Sequence, residues 1–311
     1  MFRIVGAIAV VALAGLGTGC GSTRKAADAD AGTKSFRSLD LSGYLRTPSW
    51  SPDGRHLAFV RFLDGSNEIY VANADGSHPR QLTGPRQDVI DELSSQAWSP
   101  DGRKLVFARG PNMSGLRAKP TSIFVINADG TGMRQLTRKN NDDDPAWSPD
   151  GRRIAFARYG STNYGTIYVM NRDGSNLRRL AISSGYPTPA WSPKGQKLAF
   201  EDPDGGIAIV GLNGREIKRI KPSSWNGEAA VDYQPTWSPD GRRMAFVADT
   251  DPAEAATTWI ETRNLNHNQA RVLSRGFHTV EYPAWSPNGP EIAFGIDGKL
   301  QLITVNGKSG P

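Results

Sequence analysis

The sequence predicts an all-β fold, a six-bladed β-propeller with four antiparallel strands in each blade. The first observation behind this prediction is a repeated phrase: the heptapeptide Ser49–Arg55, SWSPDGR, returns five more times with small changes. The repeats are marked by tryptophans 44 to 49 residues apart, at Trp50, Trp98, Trp147, Trp191, Trp237 and Trp285. Self-similarity at such a period is the signature of a propeller or solenoid array.

Composition is the second observation. The chain of 311 residues contains 34 glycines and 21 prolines without collagen-like or low-complexity order, which is typical of many short strands joined by tight turns. The repeats extend from about Pro48 almost to the last residue. One closed array is therefore a simpler expectation than two separate domains.

The repeat around Trp147 predicts the four strands of one blade. Its apolar runs alternate with two turn signals, each of which contains Asp-Gly. In order, the predicted strands and turns are Pro145–Ser148, the turn 149–151, Arg153–Ala157, Thr166–Met170, the turn 172–174 and Asn176–Leu180. The second and third strands are apolar on both faces, as expected for sheets that pack between neighbouring blades.

Turn chemistry accounts for the recurring aspartates, and packing accounts for the recurring tryptophans. In a Ser-Pro-Asp-Gly turn, proline presets φ and glycine accepts the left-handed conformation. We therefore expect Asp53, Asp101, Asp150 and Asp240 to bond their own turn backbone rather than calcium. The tryptophans recur at one position in every blade, which predicts wedges between blades rather than platforms for a ligand.

The two ends of the array predict how the ring closes. The last repeat supplies three strands and then stops, whereas residues 37–44 parallel the fourth-strand segment 178–186. We expect residues 36–42 to form the outer strand of the final blade, which leaves no long sheet edge open. The predicted propeller domain is thus 36–311.

A different kind of segment precedes the array. Arg3 is followed by the apolar run Ile4–Leu16, which is long enough for a signal peptide and too short to span a bilayer. Cys20, the only cysteine, follows small residues and precedes a polar stretch. The segment resembles a bacterial lipoprotein signal. That resemblance implies a signal peptide over 1–19, lipid on Cys20 and a lipidated linker over 20–35.

This signal predicts an exported protein, anchored by lipid at the bacterial cell membrane or in the periplasm. With two or more acyl chains such an anchor is stable. Gly17 stands where a lipoprotein signal usually has leucine. An ordinary secretory signal that leaves a lone free thiol is the alternative.

The repeats themselves resemble a known family. Residues Trp98–Thr137 contain WSPDGR, KLVFA, IFVINADG and RQLT in this order, which looks like the WD-like propeller repeat of the TolB family. The resemblance covers residues 36–306 and implies a binding propeller of the cell envelope. TolB itself has an N-terminal α/β domain before its propeller, whereas about fifteen residues separate Cys20 from the first predicted strand. We therefore expect a TolB-like propeller, not TolB.

Catalytic, cofactor and metal sites are not predicted. The same repeat builds the propellers of prolyl-oligopeptidase-type peptidases, but the Gly-x-Ser-x-Gly elbow that exposes their nucleophile does not occur in the sequence. The four histidines share no blade position, which argues against a histidine metal cluster on the axis. We therefore expect no cofactor.

Function is expected on the face that carries the variable loops, because the short turns share the other face. Acidic side chains and aromatics outside the repeat occur together in these loops, a composition typical of an interaction surface. The candidate partner-binding residues are Asp88, Asp91, Arg117, Asp142, Asp143, Asp144, Trp225 and Tyr233. Solvated loops without a partner are the alternative interpretation.

Charge restricts the class of partner. The formal net charge is +6, or +5 once Arg3 leaves with the signal, and arginines and lysines follow the short turns. That side of the protein suits contact with anionic lipid or cell-wall polymer. The export signal argues against nucleic acid, and a monomer is expected.

Two functions remain. The favoured one is a non-enzymatic, lipid-anchored binding or scaffold module for a cell-envelope protein or glycan. The other is an envelope carbohydrate hydrolase or lyase with Asp142–Asp144 and Glu201 as acid and base, which requires two carboxyls about 5 to 9 Å apart. Paired carboxylates in one pocket would favour the enzyme, and acidic loops scattered around the rim would favour binding.

Overall fold

The computed structural model contains only strands, turns and irregular segments among the residues that it describes. These residues are 36–63, 66–84, 95–110, 121–138, 140–160, 165–182, 187–225, 227–250, 258–274 and 279–305. Within them the strands form six four-stranded antiparallel sheets and one two-stranded hairpin. The fold is therefore the predicted six-bladed β-propeller.

Each blade has an inner strand next to the axis of the ring and an outer strand at its rim. Blade 1 consists of β2 (Tyr44–Trp50), β3 (His56–Leu63), β4 (Ser66–Asn73) and β5 (Arg80–Gln81). Blade 2 consists of β6 (Gln96–Trp98), β7 (Lys104–Arg109), β8 (Ser122–Asn127) and β9 (Arg134–Gln135). Blade 3 consists of β10 (Asn141–Trp147), β11 (Arg153–Tyr159), β12 (Gly165–Asn171) and β13 (Arg178–Ile182).

The remaining strands form blades 4 to 6 and a hairpin that precedes blade 5. Blade 4 consists of β14 (Ala190–Trp191), β15 (Lys197–Glu201), β16 (Ile207–Gly211) and β17 (Glu216–Ile220), and the hairpin consists of β18 (Ser224–Trp225) and β19 (Glu228–Ala229). Blade 5 consists of β20 (Val231–Trp237), β21 (Arg243–Asp249), β22 (Thr258–Asn264) and β23 (Ala270–Val272). Blade 6 consists of β24 (Val280–Trp285), β25 (Glu291–Ile296) and β26 (Lys299–Thr304), with β1 (Phe36–Ser38) as its fourth strand.

Strands from both ends of the chain close the ring, as predicted. β1 pairs antiparallel with β26, where Phe36 lies opposite Ile303. Leu39 then packs into the core between blades 6 and 1. The outer strand is shorter than the predicted 36–42 because the chain turns after β1, where the Leu41 N–H donates to the Leu39 carbonyl at 2.9 Å.

The hydrophobic core is divided into six layers, one between each pair of neighbouring blades. The second strand of every blade contributes one fully buried phenylalanine to these layers: Phe59, Phe107, Phe156, Phe200, Phe246 and Phe294. Burial of a side chain of this size stabilises a fold by roughly 1.5 to 3 kcal/mol. The repeats thus stabilise one another, since no blade can cover both of its own faces.

The repeat tryptophans lie in these layers, as predicted. Four of their indole N–H groups donate to a backbone carbonyl of the preceding blade at 3.1 to 3.2 Å: Trp50 to Ala284, Trp98 to Ser49, Trp191 to Ala146 and Trp237 to Ala190. Trp285 donates instead to Gly289 of its own turn at 3.3 Å. Among the described residues, Nε1 of Trp147 has no hydrogen-bond partner.

The Ser-Pro-Asp-Gly turns are held by their own side chains, as predicted. In blade 2 the Ser99 hydroxyl donates to Oδ1 of Asp101 at 2.5 Å, and the same oxygen accepts the Arg103 N–H at 3.0 Å. Ser99 Oγ also accepts the Lys104 N–H at 2.9 Å. The hydrogen bond from Ser99 lowers the pKa of Asp101, so this carboxylate is ionised at neutral pH.

Candidate functional site

The inner strands of the six blades surround the axis of the ring. Each of them contacts the inner strand of the next blade, and β24 contacts β2. Every inner strand ends at its Ser-Pro-x-Gly turn, so it begins on the opposite face, where the variable loops lie. Residues a few positions before each repeat tryptophan therefore line the variable-loop end of the axial channel.

A β-bulge interrupts four of the inner strands at this level. In blades 1, 3, 5 and 6 the register with the second strand shifts just before the tryptophan. The residue three positions before the tryptophan has φ between 49° and 54° in each case: Thr47, Asp144, Gln234 and Tyr282. This conformation costs an L-residue roughly 1 to 2 kcal/mol, and such strain is concentrated at functional sites. Bulges of this kind re-aim side chains.

Two of these four residues link neighbouring inner strands. The Thr47 hydroxyl donates to Oε1 of Gln96 at 3.1 Å, and the Gln96 amide donates back to the Thr47 carbonyl. Gln234 Oε1 accepts the Tyr282 N–H at 2.6 Å. Thr47 and Gln234 therefore contribute hydrogen bonds that hold blade 1 to blade 2 and blade 5 to blade 6.

Asp144 and Tyr282 interact electrostatically, although they come from different blades. They belong to blades 3 and 6, which lie opposite each other in a six-membered ring. Burial raises the pKa of Tyr282 well above its usual range, and the negative charge of Asp144 raises it further. Charges act on each other in this way only at short range, so the two side chains share one site.

Other blades contribute further side chains to this site, which we name the axial cluster. It consists of Asp143, Asp144, Tyr159, Glu201, Tyr233, Glu281 and Tyr282. Burial raises the pKa of Tyr159 and of Tyr233, and carboxylates of the cluster add to both shifts. The cluster therefore joins carboxyl and phenol groups from blades 3, 4, 5 and 6.

Burial changes the protonation of these carboxyl groups. It raises the pKa of Glu201 to about 8. Burial also raises the pKa of Glu281, against which the positive charge of Arg46 acts in the opposite direction. With a pKa of about 8, the Glu201 carboxyl group keeps its proton at neutral pH and can then donate a hydrogen bond.

Asp144 is the most confined carboxyl group of the cluster. It is only 5% exposed, and burial followed by the neighbouring Asp143 carboxylate raises its pKa well above the usual range. Ser95 and Tyr159 lie against it, while its Oδ1 has no hydrogen-bond partner among the described residues. A buried polar atom without a hydrogen-bond partner lowers the free energy of unfolding by about 1 to 3 kcal/mol. A ligand that forms a hydrogen bond with this atom would recover that free energy.

The structure places the three predicted acidic residues in a strand and not in a loop. They lie in β10, where Asp142 pairs across the ladder with Arg158 of β11. Asp142 is completely buried, and its two oxygens accept hydrogen bonds from Nε and Nη2 of Arg158 at 2.6 and 2.9 Å. This bidentate ion pair extends the strand beyond the predicted start at Pro145. Asp143 and Asp144 belong to the axial cluster.

The other predicted site residues are divided between described and undescribed parts of the chain. Tyr233 lies in β20 and belongs to the axial cluster. Trp225 lies in the hairpin strand β18, and its side chain is not among those described. Residues Cys20, Asp88, Asp91 and Arg117 lie outside the described residues.

Tyr159, Glu281 and Tyr282 were not predicted from the sequence. The sequence feature that could have identified some of them is a position in the repeat at which the residue type varies. Three and four positions before the tryptophan the residue type varies among the blades, whereas the turn that follows is nearly constant. Aligning the repeats at this position would have identified Glu281 and Tyr282, but not Tyr159, which comes from a second strand.

The carboxyl groups of the axial cluster come from strands of blades 3, 4 and 6. Among the described residues, no three His, Cys, Asp or Glu side chains are arranged to hold a metal ion. In the described part of the chain we also find no helix with the length and apolar character needed to cross a membrane.

Comparison with known sequences agrees with the propeller fold. The family model described as the TolB β-propeller domain matches residues 27–210 and 145–309. The chain is 46% identical over 50 residues to the Tol-Pal system protein TolB of Hydrogenovibrio crunogenus, which covers 16% of this chain and 11% of that protein. It is 35% identical over 68 residues to the uncharacterized peptidase YuxL of Bacillus subtilis, which covers 22% and 10%. Each match spans about a tenth of the relative's length.

Solved structures show the same architecture. The putative TolB from Agrobacterium tumefaciens superposes with a TM-score of 0.64 at 20% identity, over 88% of this chain and 97% of that one. An oligogalacturonate lyase from Vibrio parahaemolyticus gives 0.54 at 14% identity, over 89% and 98%. At these identities the likeness concerns the fold alone. Because the family model matches from residue 27 to residue 309, the chain belongs to the TolB β-propeller domain family.

Proposed function

We propose that this protein is a non-enzymatic binding or scaffold module of the bacterial cell envelope, exported and anchored through lipid on Cys20. The family match supports a binding propeller, and the lipoprotein-type segment before the array supports export and anchoring. Its partner is an envelope protein or glycan that binds at the variable-loop end of the axial channel.

The axial cluster is the observation that carries this proposal. Carboxyl and phenol groups from four blades meet at one channel mouth, and together they offer both donors and acceptors. Oδ1 of Asp144 has no partner there among the described residues. A few convergent polar groups in a concave setting are typical of a binding site.

The test is a cross-linking pull-down from whole envelopes with the mature chain as bait. A double variant, Asp144→Asn with Tyr282→Phe, keeps the shape of both side chains but removes one carboxyl and one hydroxyl. We expect it to capture about tenfold less of the partner, since each lost hydrogen bond is worth about 1 kcal/mol or more. Arg172→Gln, in an exposed turn on the opposite face, is the matched control. Equal capture by all three proteins would contradict the proposal.

Anchoring is tested separately by labelling cells with a radioactive fatty acid. The wild-type protein should carry the label and sediment with membranes, whereas Cys20→Ala should carry no label. An unlabelled wild-type protein in the soluble exported fraction would support the ordinary secretory signal instead.

A second function, envelope carbohydrate hydrolase or lyase, is favoured by one specific observation. The axial cluster contains Glu201, whose pKa lies near 8, together with Asp143 and Asp144. A carboxyl group that holds its proton at neutral pH is what a general acid requires, and a neighbouring carboxylate is what its partner requires. Release of new sugar ends from envelope polysaccharide by the wild type, lost in Glu201→Gln, would support the enzyme. Absence of any product from either protein would count against it.

A further inference from the structure

At the boundary between blades 3 and 4 a guanidinium group covers a repeat tryptophan. Cζ of Arg153 lies 5.5 Å from the centre of the Trp191 ring, and Nη2 of Arg153 lies 3.5 Å from Oδ2 of Asp150 in the same turn. The boundary between blades 5 and 6 repeats the ring contact, with Arg243 5.0 Å above Trp285. A cation over an indole face is attracted by the ring quadrupole. The propeller therefore has a position that holds a guanidinium between a tryptophan and a turn carboxylate.

At the boundary between blades 1 and 2 a histidine occupies this position. His56 follows Trp50 by six residues, as Arg153 follows Trp147 and Arg243 follows Trp237. An imidazole is shorter than an arginine side chain. Beside it lies an open groove of about 540 Å³. Its walls include Trp98, Asp53, Asp101, His56, Pro52 and Pro100.

The groove offers the same partners that Arg153 has in its own boundary. Trp98 is half-buried, whereas Trp191 is buried. The indole N–H of Trp98 is engaged with the Ser49 carbonyl at 3.2 Å, so the groove presents the ring rather than the N–H group. Asp53 is exposed, and only its Oδ1 is used by the turn.

Both signs of charge occur at the groove: Arg55 and Arg103 follow the two turns, and the carboxylates of Asp53 and Asp101, which would pair with a cation, lie within them. Hydrogen bonds from serine side chains lower the pKa of Asp53 and of Asp101, so both carboxylates are ionised at neutral pH. Arg80 lines the groove as well, but its guanidinium is directed to the backbone, where it donates to the Ala128 carbonyl at 2.6 Å and the Asp129 carbonyl at 3.4 Å.

We propose that this groove is a second binding site and that its ligand is an arginine side chain on an exposed segment of a partner protein. The guanidinium lies over Trp98 and pairs with Asp53, in the arrangement that Arg153 has with Trp191 and Asp150. The site is on the short-turn face, away from the axial cluster, and does not depend on the function proposed there.

Indole NMR of the mature full chain, labelled with nitrogen isotope in its tryptophans, tests this site. The probes are acetyl-Gly-Arg-Gly-amide and its citrulline counterpart, which has the same shape without the charge. The arginine peptide should shift the Trp98 signal in a saturable way, and the citrulline peptide should bind at least about tenfold more weakly. Equal binding of the two peptides, or stronger binding of a glutamate peptide, would overturn the proposal.

Two reciprocal variants make the test specific. His56→Arg supplies the guanidinium from within the chain, so the Trp98 signal should no longer respond to the peptide. Arg153→His opens the equivalent space between blades 3 and 4, so Trp191 should begin to respond. The double variant Asp144→Asn with Tyr282→Phe should respond as the wild type does. An unchanged Trp98 response in His56→Arg would overturn the proposal even if the other variant failed to fold.

Discussion

Asp142 and Asp144 lie in the same strand but in different electrostatic surroundings. Asp142 is completely buried and shares both oxygens with Arg158. Asp144 is nearly as buried, but the adjacent charge is the like charge of Asp143, which helps to raise its pKa. Burial with a cation thus produces a structural ion pair, whereas burial beside a like charge raises the pKa of the carboxyl group and leaves it suited to a ligand.

Asp142→Ala should destabilise the fold rather than report on binding. It leaves the Arg158 guanidinium without its partner, and loss of one member of a buried pair costs about 3 to 5 kcal/mol. The measurement is the free energy of unfolding in urea. The control is Asp204→Ala, which breaks the exposed pair with Arg219 and should cost about 1 kcal/mol or less. Similar losses in both variants would show that burial does not set the strength of the pair.

Glu201 should make stability depend on pH. Its ordinary pKa of 4.5 rises to about 8 in the folded chain, so between these values the folded protein holds a proton that the unfolded chain has lost. Stability therefore falls as pH rises through this window, by up to about 1.4 kcal/mol for each pH unit. Glu201→Gln should flatten the slope of unfolding free energy against pH, whereas Glu216→Gln, at an exposed site, should not. An unaltered slope in Glu201→Gln would be evidence against the raised pKa.

At the scale of the element, the Ser-Pro-Asp-Gly turn is a local structure that its own four residues hold together. In blades 1, 2, 3 and 5 the serine hydroxyl donates to the aspartate two residues later. Blade 4 has Lys194 at that place, so of these side-chain bonds only the one from the Lys197 N–H to Ser192 Oγ, at 3.1 Å, is formed there.

Lys194→Asp should therefore stabilise the protein. The new carboxylate can accept the Ser192 hydroxyl and a backbone N–H, and each such bond contributes about 0.5 to 1.5 kcal/mol. The expected gain in unfolding free energy is about 1 kcal/mol. Lys194→Ala, which adds no acceptor, should show no comparable gain. If both substitutions gave the same change, removal of the lysine rather than the new hydrogen bonds would be responsible.

The local sequence of the inner strands does not predict their bulged conformation. Thr47 is β-branched and Tyr282 is bulky, yet both adopt positive φ, a conformation that these residue types normally avoid. Glycine or asparagine would have signalled such bulges. The strain is tolerated because the neighbouring strands and blades determine the path of the chain, so tertiary contacts override local preference.

At the scale of the whole molecule, the ring depends on a short strand from the beginning of the described chain. β1 covers the outer edge of β26, and Leu39 fills the layer between blades 6 and 1. Without them β26 would present an unpaired edge, which is a template for association with other chains.

A chain that begins at Asp40 should be less stable than one that begins at Ser35. Loss of the buried Leu39 and of the β1 pairing removes about 3 kcal/mol, which corresponds to a fall in Tm of about 5 °C for a protein of this size. The shortened chain should also self-associate at lower concentration. Circular dichroism and light scattering provide these two measurements. Equal Tm values for the two chains would mean that blade 6 is stable with three strands.

By itself the sequence determined the number of blades, the four strands in each, the turn chemistry and the closure of the ring. These features follow from the regular spacing of the repeat tryptophans, from the turn residues and from the apolar runs between the turns. The turns and apolar runs are local sequence features, and each of them recurs in six repeats. Asp143, Asp144 and Tyr233 were named from composition alone, without knowledge of what surrounds them.

Only the tertiary structure decided which side chains lie close together and how their pKa values are shifted. The axial cluster joins Tyr159, Glu201, Glu281 and Tyr282 to those residues although they are far apart in sequence, and the groove beside Trp98 depends on two different blades. Such sites arise from bulges, from burial and from the contact of one blade with another. None of these is a property of a local segment, because the dielectric environment and the neighbours of a side chain exist only once the ring has closed.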